Sequence, residues 1–177
     1  VCPHHLYLTE DDVPGLGGFA LMKPMLKTPR DVAALWAAIR EGVVDVIESD
    51  HAPHTLDEKQ SAKPPYGVPG LETTLPLMLT AVQDGRVTLE RVIDMVSTNP
   101  RRIWGLIAPR DTFAVVDLDA SYEITRAGLH SACGWSTYEG LRVTGRVIST
   151  WLRGEIVYDG EQVKALAGAG QRVVVQA

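Results

Sequence analysis

Three things are scarce in this sequence: cysteine, long apolar runs and an excess of positive charge. The two cysteines, Cys2 and Cys133, are too few and too far apart for a disulfide framework or a cysteine-based zinc site, so we expect two free thiols. No apolar run approaches the roughly 20 residues that span a bilayer, and no signal-peptide pattern opens the chain, so we expect no membrane partner and a cytoplasmic location. The 17 Lys and Arg residues are scattered and outnumbered by 22 Asp and Glu residues, which argues against nucleic acid as a partner.

The chain does contain enough apolar material for a folded core. Hydrophobic residues make up 45% of its 177 residues and charged residues 22%, a balance typical of globular rather than disordered proteins. This length fits one domain, or one large domain with a small appendage. Because the sequence begins at Val1 without an initiator methionine, we expect a fragment of a longer protein.

The first 111 residues alternate strand-like and helix-like segments. Apolar and β-branched residues predict a strand at 1–8, and a near-continuous apolar run predicts a strand covered on both faces at 43–47. Capping residues and helical periodicity predict helices at 29–41, 71–83 and 89–96, with a short helical turn opening at 99–100.

The pattern becomes β-rich from residue 112 onward. Residues 113–118 and 142–158 are strand-like, and the Arg-Gly and Asp-Gly pairs at 153–154 and 159–160 predict turns. Repeated strand and helix followed by β hairpins predicts an α/β fold. We expect parallel βα units over residues 1–111 and a small β domain over 112–177.

The strongest chemical feature is the string SDHAPH at 49–54, where the strand predicted at 43–47 ends and a Pro- and Gly-rich loop begins. Loops that leave the carboxyl ends of parallel strands surround the pocket in α/β proteins, and this loop, 52–70, is longer than a simple connection needs. Asp50 could there ligate a divalent metal and shuttle a proton, and His54 could face the same pocket as a hydrogen-bond donor. An alternative stays open, in which Asp50 caps the following turn and the histidines are solvated.

Other features carry weaker signals. His4 and His5 are adjacent, so at most one faces a pocket from a strand, and a hydrogen-bonded core histidine is the more common case. Lys23 is either an anion contact beside a rigid turn or an ordinary solvated lysine. The segment PPYGVPG at 64–70 either offers backbone groups to a flat polar ligand or is only a stiff loop. His130 and the four tryptophans are interpreted as packing residues.

Several strings, in their order and spacing, resemble the dihydroorotase family, including the dihydroorotase domain of the multifunctional pyrimidine-synthesis protein of animals. They are VCPHHL at 1–6, KPML at 23–26, SDHAPHT at 49–55 and GLET at 70–73, and the likeness continues through NP at 99–100 and RGE at 153–155. The string DHAPHT is the most specific, because the related hydantoinases and allantoinases usually differ after the Asp-His pair.

The resemblance implies a fold and a metal centre. Members of this amidohydrolase superfamily are (β/α)8 barrels with a small β domain and a binuclear zinc centre, so this chain would hold the last two barrel strands and helices and the C-terminal part of the β domain. Of the family's metal ligands only the aspartate of the eighth strand is present, as Asp50, and the other ligands lie upstream. Asp50 would ligate zinc and act as general base, His54 would contact the substrate, and Tyr66 with Gly67 would hold its ring through backbone groups. Lys23 replaces an Arg or Asn that faces the substrate in the family, which makes it a further candidate contact.

The function implied is that of a zinc-dependent cyclic amide hydrolase, a dihydroorotase that interconverts dihydroorotate and N-carbamoyl-L-aspartate in pyrimidine synthesis. Its partners would be this small-molecule substrate, the N-terminal part of the barrel and, as a candidate, aspartate carbamoyltransferase. A slice of a barrel leaves sheet edges open, so we expect the isolated fragment to be inactive. Two alternatives stay open: a non-catalytic dihydroorotase-like subunit that scaffolds aspartate carbamoyltransferase, and a cyclic amidase of the hydantoinase or allantoinase type.

Overall fold

The computed structural model describes residues 1–173 and 175 of this α/β chain. The α-helices are α1 (His4–Tyr7), α2 (Val13–Leu16), α3 (Pro29–Arg40), α4 (Leu56–Lys59), α5 (Leu71–Gln83), α6 (Leu89–Ile93) and α7 (Asn99–Trp104). Turns of 3-10 helix lie at Glu10–Asp12, Gly17–Ala20 and Arg126–Gly128, and a π-helix lies at Asp94–Thr98. The strands are β1 (Phe113–Glu123), β2 (Arg142–Leu152) and β3 (Glu155–Tyr158). None of the helices described is long and apolar enough to cross a membrane.

The predicted helix at 29–41 is confirmed as α3, and its start shows why. Thr28 Oγ1 accepts a hydrogen bond from the Asp31 amide at 3.2 Å, and the Asp31 carboxylate accepts one from the Thr28 amide at 3.1 Å. Two amide donors at the start of the helix are thereby satisfied. The inward face of the helix buries Trp36 and Ile39. The predicted helix at 71–83 is likewise confirmed as α5, although it contains Pro76.

The strand predicted at 1–8 is wrong, because these residues form no strand and four of them form α1. Pro3 has helical backbone angles, φ −56° and ψ −33°, and its carbonyl oxygen accepts the amides of Leu6 and Tyr7, which closes the turn of α1. Only Val1 is paired with a neighbouring extended segment: its amino group donates to Val46 O at 2.9 Å and its carbonyl accepts the Glu48 amide at 3.1 Å. Proline has no amide hydrogen to donate and is tolerated in the first turn of a helix, so Pro3 is compatible with the start of α1.

The buried strand predicted at 43–47 is also wrong, because these residues form no strand in the structure. Val43 is 69% exposed, whereas Ile47 is 4% exposed and donates its amide to Met95 O. A strand is buried on both faces only when neighbouring strands and helices cover it. In the described part of the chain, this segment forms hydrogen bonds with Val1, and its first residue, Val43, is exposed.

The predicted β-rich tail is confirmed as a three-stranded antiparallel sheet in the order β1-β2-β3, with a turn at Arg153 and Gly154. The sheet touches the helical part through α5 and β2, where the Thr144 amide donates to Thr80 Oγ1 at 2.9 Å. Gly145 has a φ of +105°, and a Cβ there would lie 2.4 Å from the Leu79 Cβ, so only glycine permits this close approach. The division into two domains at residue 112 stays a prediction.

Three apolar clusters form the core. They are centred on Met78 between α3, α5 and α6, on Trp135 beneath the loop 52–70, and on Leu77 between α5 and β2. All three of these side chains are at most 1% exposed. Burying a side chain of this size contributes about 1.5–3 kcal/mol. The Trp135 cluster also contains Val68 and packs against Leu56, so it supports the loop 52–70 from within the fold.

Candidate active site

Asp50 has an unusual backbone. Its φ is +45°, in the left-handed region that residues other than glycine rarely adopt. Glu48 supports this conformation, because its Oε2 accepts the Asp50 amide. The Asp50 side chain is 45% exposed. Residues with strained backbone angles cluster at functional sites, and here the strained residue carries an exposed carboxylate.

His4 faces Asp50 from the first turn of α1. Its Nε2 atom lies 3.9 Å from Asp50 Oδ2. The residue is 1% exposed, and Nε2 is buried without a hydrogen-bond partner among the described residues. Burial lowers the pKa of His4 to about 4, and His5 acts in the same direction, so the ring is neutral at neutral pH. One histidine of the pair is buried, as expected, but within the described part of the chain its Nε2 lacks the hydrogen bond that is common for a core histidine.

His5 follows on the same helical turn, so the argument from alternating strand faces does not apply to this pair. The rings of His4 and His5 meet edge to face with their centroids 4.3 Å apart. His5 Nε2 is 2.9 Å from Pro24 O, which ties α1 to the segment that carries Lys23.

Cys2, His4 and His5 bring possible metal-ligand atoms within 4.8 Å of one another. The Cys2 thiol, however, donates a hydrogen bond to Glu48 Oε1. Burial, together with this carboxylate, raises the pKa of Cys2 to about 12. Because the thiolate rather than the thiol binds metals, the structure gives Cys2 the role of a donor to Glu48. Glu48 thereby joins Cys2 to Asp50, and we call these three residues with His4 the Asp50 cluster.

His51 does not point into the same place. Its Nδ1 accepts the amides of Gly70 and Leu71, both at 3.2 Å, so the ring caps the start of α5. The backbone of His51 also pairs with Val68 in a parallel β-bridge. His51 therefore closes the two ends of the loop 52–70 on each other.

Lys23, His54 and Tyr66 lie together. His54 Nε2 is 3.0 Å from the Tyr66 carbonyl oxygen, and Lys23 Nζ lies 4.3 Å from the centroid of the Tyr66 ring. An ammonium over an aromatic face at this distance is an attractive contact. Tyr66 is 46% exposed, so its ring lines open surface. We call these residues, with Gly67, the His54 cluster.

Gly67 is needed for close approach. Its φ is +121°, and a Cβ would lie 2.5 Å from the carbonyl oxygen of Ala52. The amide of Gly67 donates to Leu21 O at 2.8 Å, and its carbonyl accepts from Lys59 Nζ at 2.9 Å. The N–H and the carbonyl of Gly67 thus already form hydrogen bonds within the chain. Fewer backbone groups of this loop are therefore left for the predicted contacts with the substrate. The substrate-binding roles of Lys23, His54, Tyr66 and Gly67 stay predictions.

The two clusters are joined by the short segment 51–53. A cavity of about 580 Å³ lies elsewhere, between the start of α5 and the sheet, where Glu72, Tyr122 and Arg146 are among its lining residues. It contains no member of either cluster. The unpartnered Nε2 of His4, the carboxylate of Asp50 and the exposed ammonium of Lys23 all lie near residues 49–54. We therefore place the candidate active site there.

Comparison with known proteins points to one family, although no protein-family model matches the chain. The chain is 47% identical, over 96% of its length, to multifunctional protein pyr1-3 of Dictyostelium discoideum, and 43% identical over 98% to multifunctional protein CAD of Squalus acanthias. It is 41% identical, over 96% of its length, to the dihydroorotase of Halobacterium salinarum. The chain belongs to the dihydroorotase family. It spans 8% of each multifunctional protein and 42% of the Halobacterium dihydroorotase.

Solved structures share the architecture of this dihydroorotase-family chain. L-hydantoinase from Arthrobacter aurescens matches it with a TM-score of 0.90 at 29% identity, over 97% of this chain and 41% of that one. The inactive dihydroorotase-like domain of a Chaetomium thermophilum CAD-like multifunctional protein matches with a TM-score of 0.72 at 27% identity, over 93% of this chain and 45% of that one. Since a hydantoinase and an inactive domain have this architecture, the fold alone does not decide activity.

Sequence reasoning missed three residues that shape the candidate site: Glu48, Lys59 and Trp135. Glu48 has a readable signal, because an acidic residue two positions before Asp50 can reach its amide. Lys59 has no signal of its own in the sequence, yet it is 1% exposed. The interpretation of Trp135 as a packing residue is confirmed by its 1% exposure, but its indole also donates to His54 O at 2.7 Å.

Proposed function

We propose that this chain is the C-terminal part of a dihydroorotase, which interconverts dihydroorotate and N-carbamoyl-L-aspartate. In this proposal residues 1–111 belong to the C-terminal portion of a (β/α)8 barrel, and residues 112–177 supply part of a small β domain. The observation that carries it is the pair of His4 and Asp50: a strained, exposed carboxylate faces a buried nitrogen that lacks a partner among the described residues. Stability alone accounts for neither feature.

Zinc fits the donors present at this place. Proteins bind zinc through carboxylate oxygens and neutral imidazole nitrogens, and a cation with its water at Asp50 would give the buried His4 nitrogen a partner. We propose Asp50 as the ligand from this chain, with the other ligands of a binuclear centre supplied by the N-terminal part of the enzyme. When bound, zinc supplies Lewis acidity and lowers the pKa of water.

Asp50 is also proposed to move the proton. Its carboxylate takes a proton from the attacking water as the water oxygen bonds to the ring carbonyl carbon. It then gives that proton to the ring nitrogen as the carbon–nitrogen bond breaks, which opens dihydroorotate to N-carbamoyl-L-aspartate. The reverse sequence closes the ring. Glu48 accepts a hydrogen bond from the Asp50 amide and so restrains the backbone that carries this carboxylate.

The His54 cluster is proposed to bind the substrate. Lys23 is exposed and carries a positive charge beside the Tyr66 ring, so it can pair with the carboxylate of dihydroorotate. Because His54 Nε2 already contacts the Tyr66 carbonyl, its substrate contact falls to Nδ1, whose neighbour Glu58 Oε2 lies 3.7 Å away. The exposed Tyr66 ring offers a flat surface to the ring of the substrate.

The test is turnover of dihydroorotate by the full-length protein that contains this chain. Asp50→Asn keeps the size of the side chain but cannot accept the proton, so we expect kcat to fall by about 10²–10⁴-fold. Asp57→Asn is the matched control, because Asp57 is an exposed acid of α4 on the same stretch of chain. Near-normal turnover in Asp50→Asn would overturn the assignment.

Two other functions have a specific observation in their favour. The match to the inactive dihydroorotase-like domain of Chaetomium thermophilum favours a non-catalytic subunit, and the match to L-hydantoinase favours a related cyclic amidase. The first predicts no turnover by the full-length protein with zinc present. The second predicts faster turnover of hydantoin than of dihydroorotate. The positive charge of Lys23 supports dihydroorotate, because hydantoin lacks its carboxylate.

Aspartate carbamoyltransferase is the proposed partner. Two relatives are multifunctional proteins of which this chain matches 8%, so the matching region is linked there to much longer stretches of chain. The carbamoyltransferase makes the N-carbamoyl-L-aspartate that a dihydroorotase cyclises, so its proximity would serve the proposed reaction. A cytoplasmic location stays a prediction.

A further inference from the structure

Lys59 is a buried cation whose hydrogen bonds all go to backbone carbonyls. It is 1% exposed at the end of α4, and its Nζ donates to Pro65 O at 2.8 Å, Gly67 O at 2.9 Å and Leu21 O at 3.4 Å. No carboxylate of the described chain forms an ion pair with it, and burial lowers the pKa of its ammonium. A desolvated ammonium needs all its donors satisfied, so these three carbonyls are held firmly.

Trp135 contacts the same loop. It is 1% exposed, its ring packs against Phe19 with centroids 5.0 Å apart, and its Nε1 donates to His54 O at 2.7 Å. The Lys59 Nζ lies 5.5 Å from the centroid of its ring. The two side chains therefore support each other as a cation and an aromatic face.

The carbonyls that accept these bonds belong to residues of the His54 cluster or to their close neighbours. Leu21 precedes Lys23 by two residues, Pro65 and Gly67 flank Tyr66, and the indole bond is made to His54 itself. Other contacts of the loop are the packing of Val68 and Leu56 on the Trp135 cluster and the bond from the Gly67 amide to Leu21 O, whereas residues 60–63 are exposed. The three candidate substrate groups thus share one internal support.

We propose that Lys59 and Trp135 form a buried clamp that positions Lys23, His54 and Tyr66 for the substrate. The clamp rests on the proposed function for the identity of that substrate. Neither residue touches the substrate in this proposal, so both are positioning residues. The consequence is specific: loss of the clamp should loosen the loop and weaken substrate binding, while proton transfer at Asp50 continues once substrate is bound.

The test uses Lys59→Met in the full-length protein, because methionine has a similar length and cannot donate. Lys63→Met is the matched control, since Lys63 is an exposed lysine of the same loop. We expect hydrogen exchange at the Gly67 amide to speed up by about tenfold or more, with the amides of α3 unchanged. We expect KM for dihydroorotate to rise about tenfold while kcat per folded molecule stays within about twofold.

Trp135→Phe is the second variant, because it keeps the buried ring and removes only the indole N–H. It should raise KM and speed exchange around His54 in the same direction. The clamp is overturned if exchange in 54–67 is unchanged in both variants, if exchange rises equally in α3, or if KM is unaffected while the folded fraction falls. A wild-type protein that turns over no dihydroorotate would instead overturn the proposed function, and the exchange data would still decide whether the clamp holds the loop.

Discussion

The Nε2 atom of His4 lies 3.9 Å from Oδ2 of Asp50, and it has no hydrogen-bond partner in the described chain. The pair is not an ion pair at neutral pH, because burial lowers the pKa of His4 to about 4. Both atoms keep hydrogen-bonding capacity that the fold does not use. Unused capacity on a buried nitrogen and a strained carboxylate is expected of a binding site rather than of a packing contact.

His4→Phe tests whether the buried imidazole is retained for stability or for function. Phenylalanine keeps a ring and removes the unpartnered nitrogen, so we expect the free energy of unfolding to stay within about 1 kcal/mol of wild type. We expect kcat/KM for dihydroorotate to fall about 10-fold or more, as for other groups that orient a ligand. Urea unfolding and steady-state kinetics measure the two effects. A large loss of stability with normal kinetics would make His4 a structural residue.

Cys2 and Cys133 should differ in reactivity. Burial and Glu48 raise the pKa of Cys2 to about 12, so its thiol stays protonated at pH 8, while Cys133 is half-buried. We expect iodoacetamide at pH 8 to modify Cys133 first, as read by peptide mass spectrometry. An acid whose folded pKa is raised contributes stability that is lost as pH rises above the unfolded value of about 9. The free energy of unfolding should therefore fall between pH 9 and 12, and it should fall less in Cys2→Ala. Equal alkylation of both cysteines would contradict the buried environment of Cys2.

Gly67→Ala and Gly42→Ala separate steric exclusion from backbone strain. Both glycines have positive φ, +121° and +80°, but a Cβ at Gly67 would lie 2.5 Å from Ala52 O, whereas a Cβ at Gly42 meets nothing within 4 Å. We expect Gly42→Ala to cost about 1 kcal/mol of stability and to leave KM unchanged. Gly67→Ala should cost more and raise KM, because it displaces the His54 cluster. Equal effects of the two substitutions on KM would contradict the close packing of this loop.

Lys23→Met tests the proposed contact with the substrate carboxylate. The charge matters only for substrates that carry a carboxylate, so we expect KM for dihydroorotate to rise about 10-fold, as for loss of one charge-assisted hydrogen bond. Turnover of the uncharged ring dihydrouracil, if measurable, should not change. Lys27→Met is the control, since Lys27 is exposed four residues further along. A rise in KM of the same size in both variants would show only a general loss of positive charge.

Local signals in the sequence predicted α3, α5 and the start of α6, but not the short helices α1, α2 and α4. Thr28 and Thr88 cap their helices as expected, each by accepting an amide of the first turn, because capping depends only on residues within a few positions. The strands at 1–8 and 43–47 were predicted wrongly, because strand formation depends on neighbours that are distant in sequence. At 1–8, the residues that follow Pro3 form the helical turn α1 instead.

The candidate site was predicted in part. The string 49–54 directed attention to Asp50 and His54, and the structure brings Lys23 and Tyr66 next to His54. The environment of His4 and the burial of Lys59 could not be read from the sequence, since both depend on contacts across the fold. A lysine in a polar loop gives no local sign that three carbonyls surround it.

The most direct measurement of the central claim is the ratio of kcat/KM for dihydroorotate to that for hydantoin, made on the zinc-loaded full-length protein. The account predicts turnover of dihydroorotate in both directions and a ratio well above one, which falls when Lys23 is replaced by methionine. Preference for hydantoin, or no turnover of either ring by folded protein with zinc bound, would contradict it.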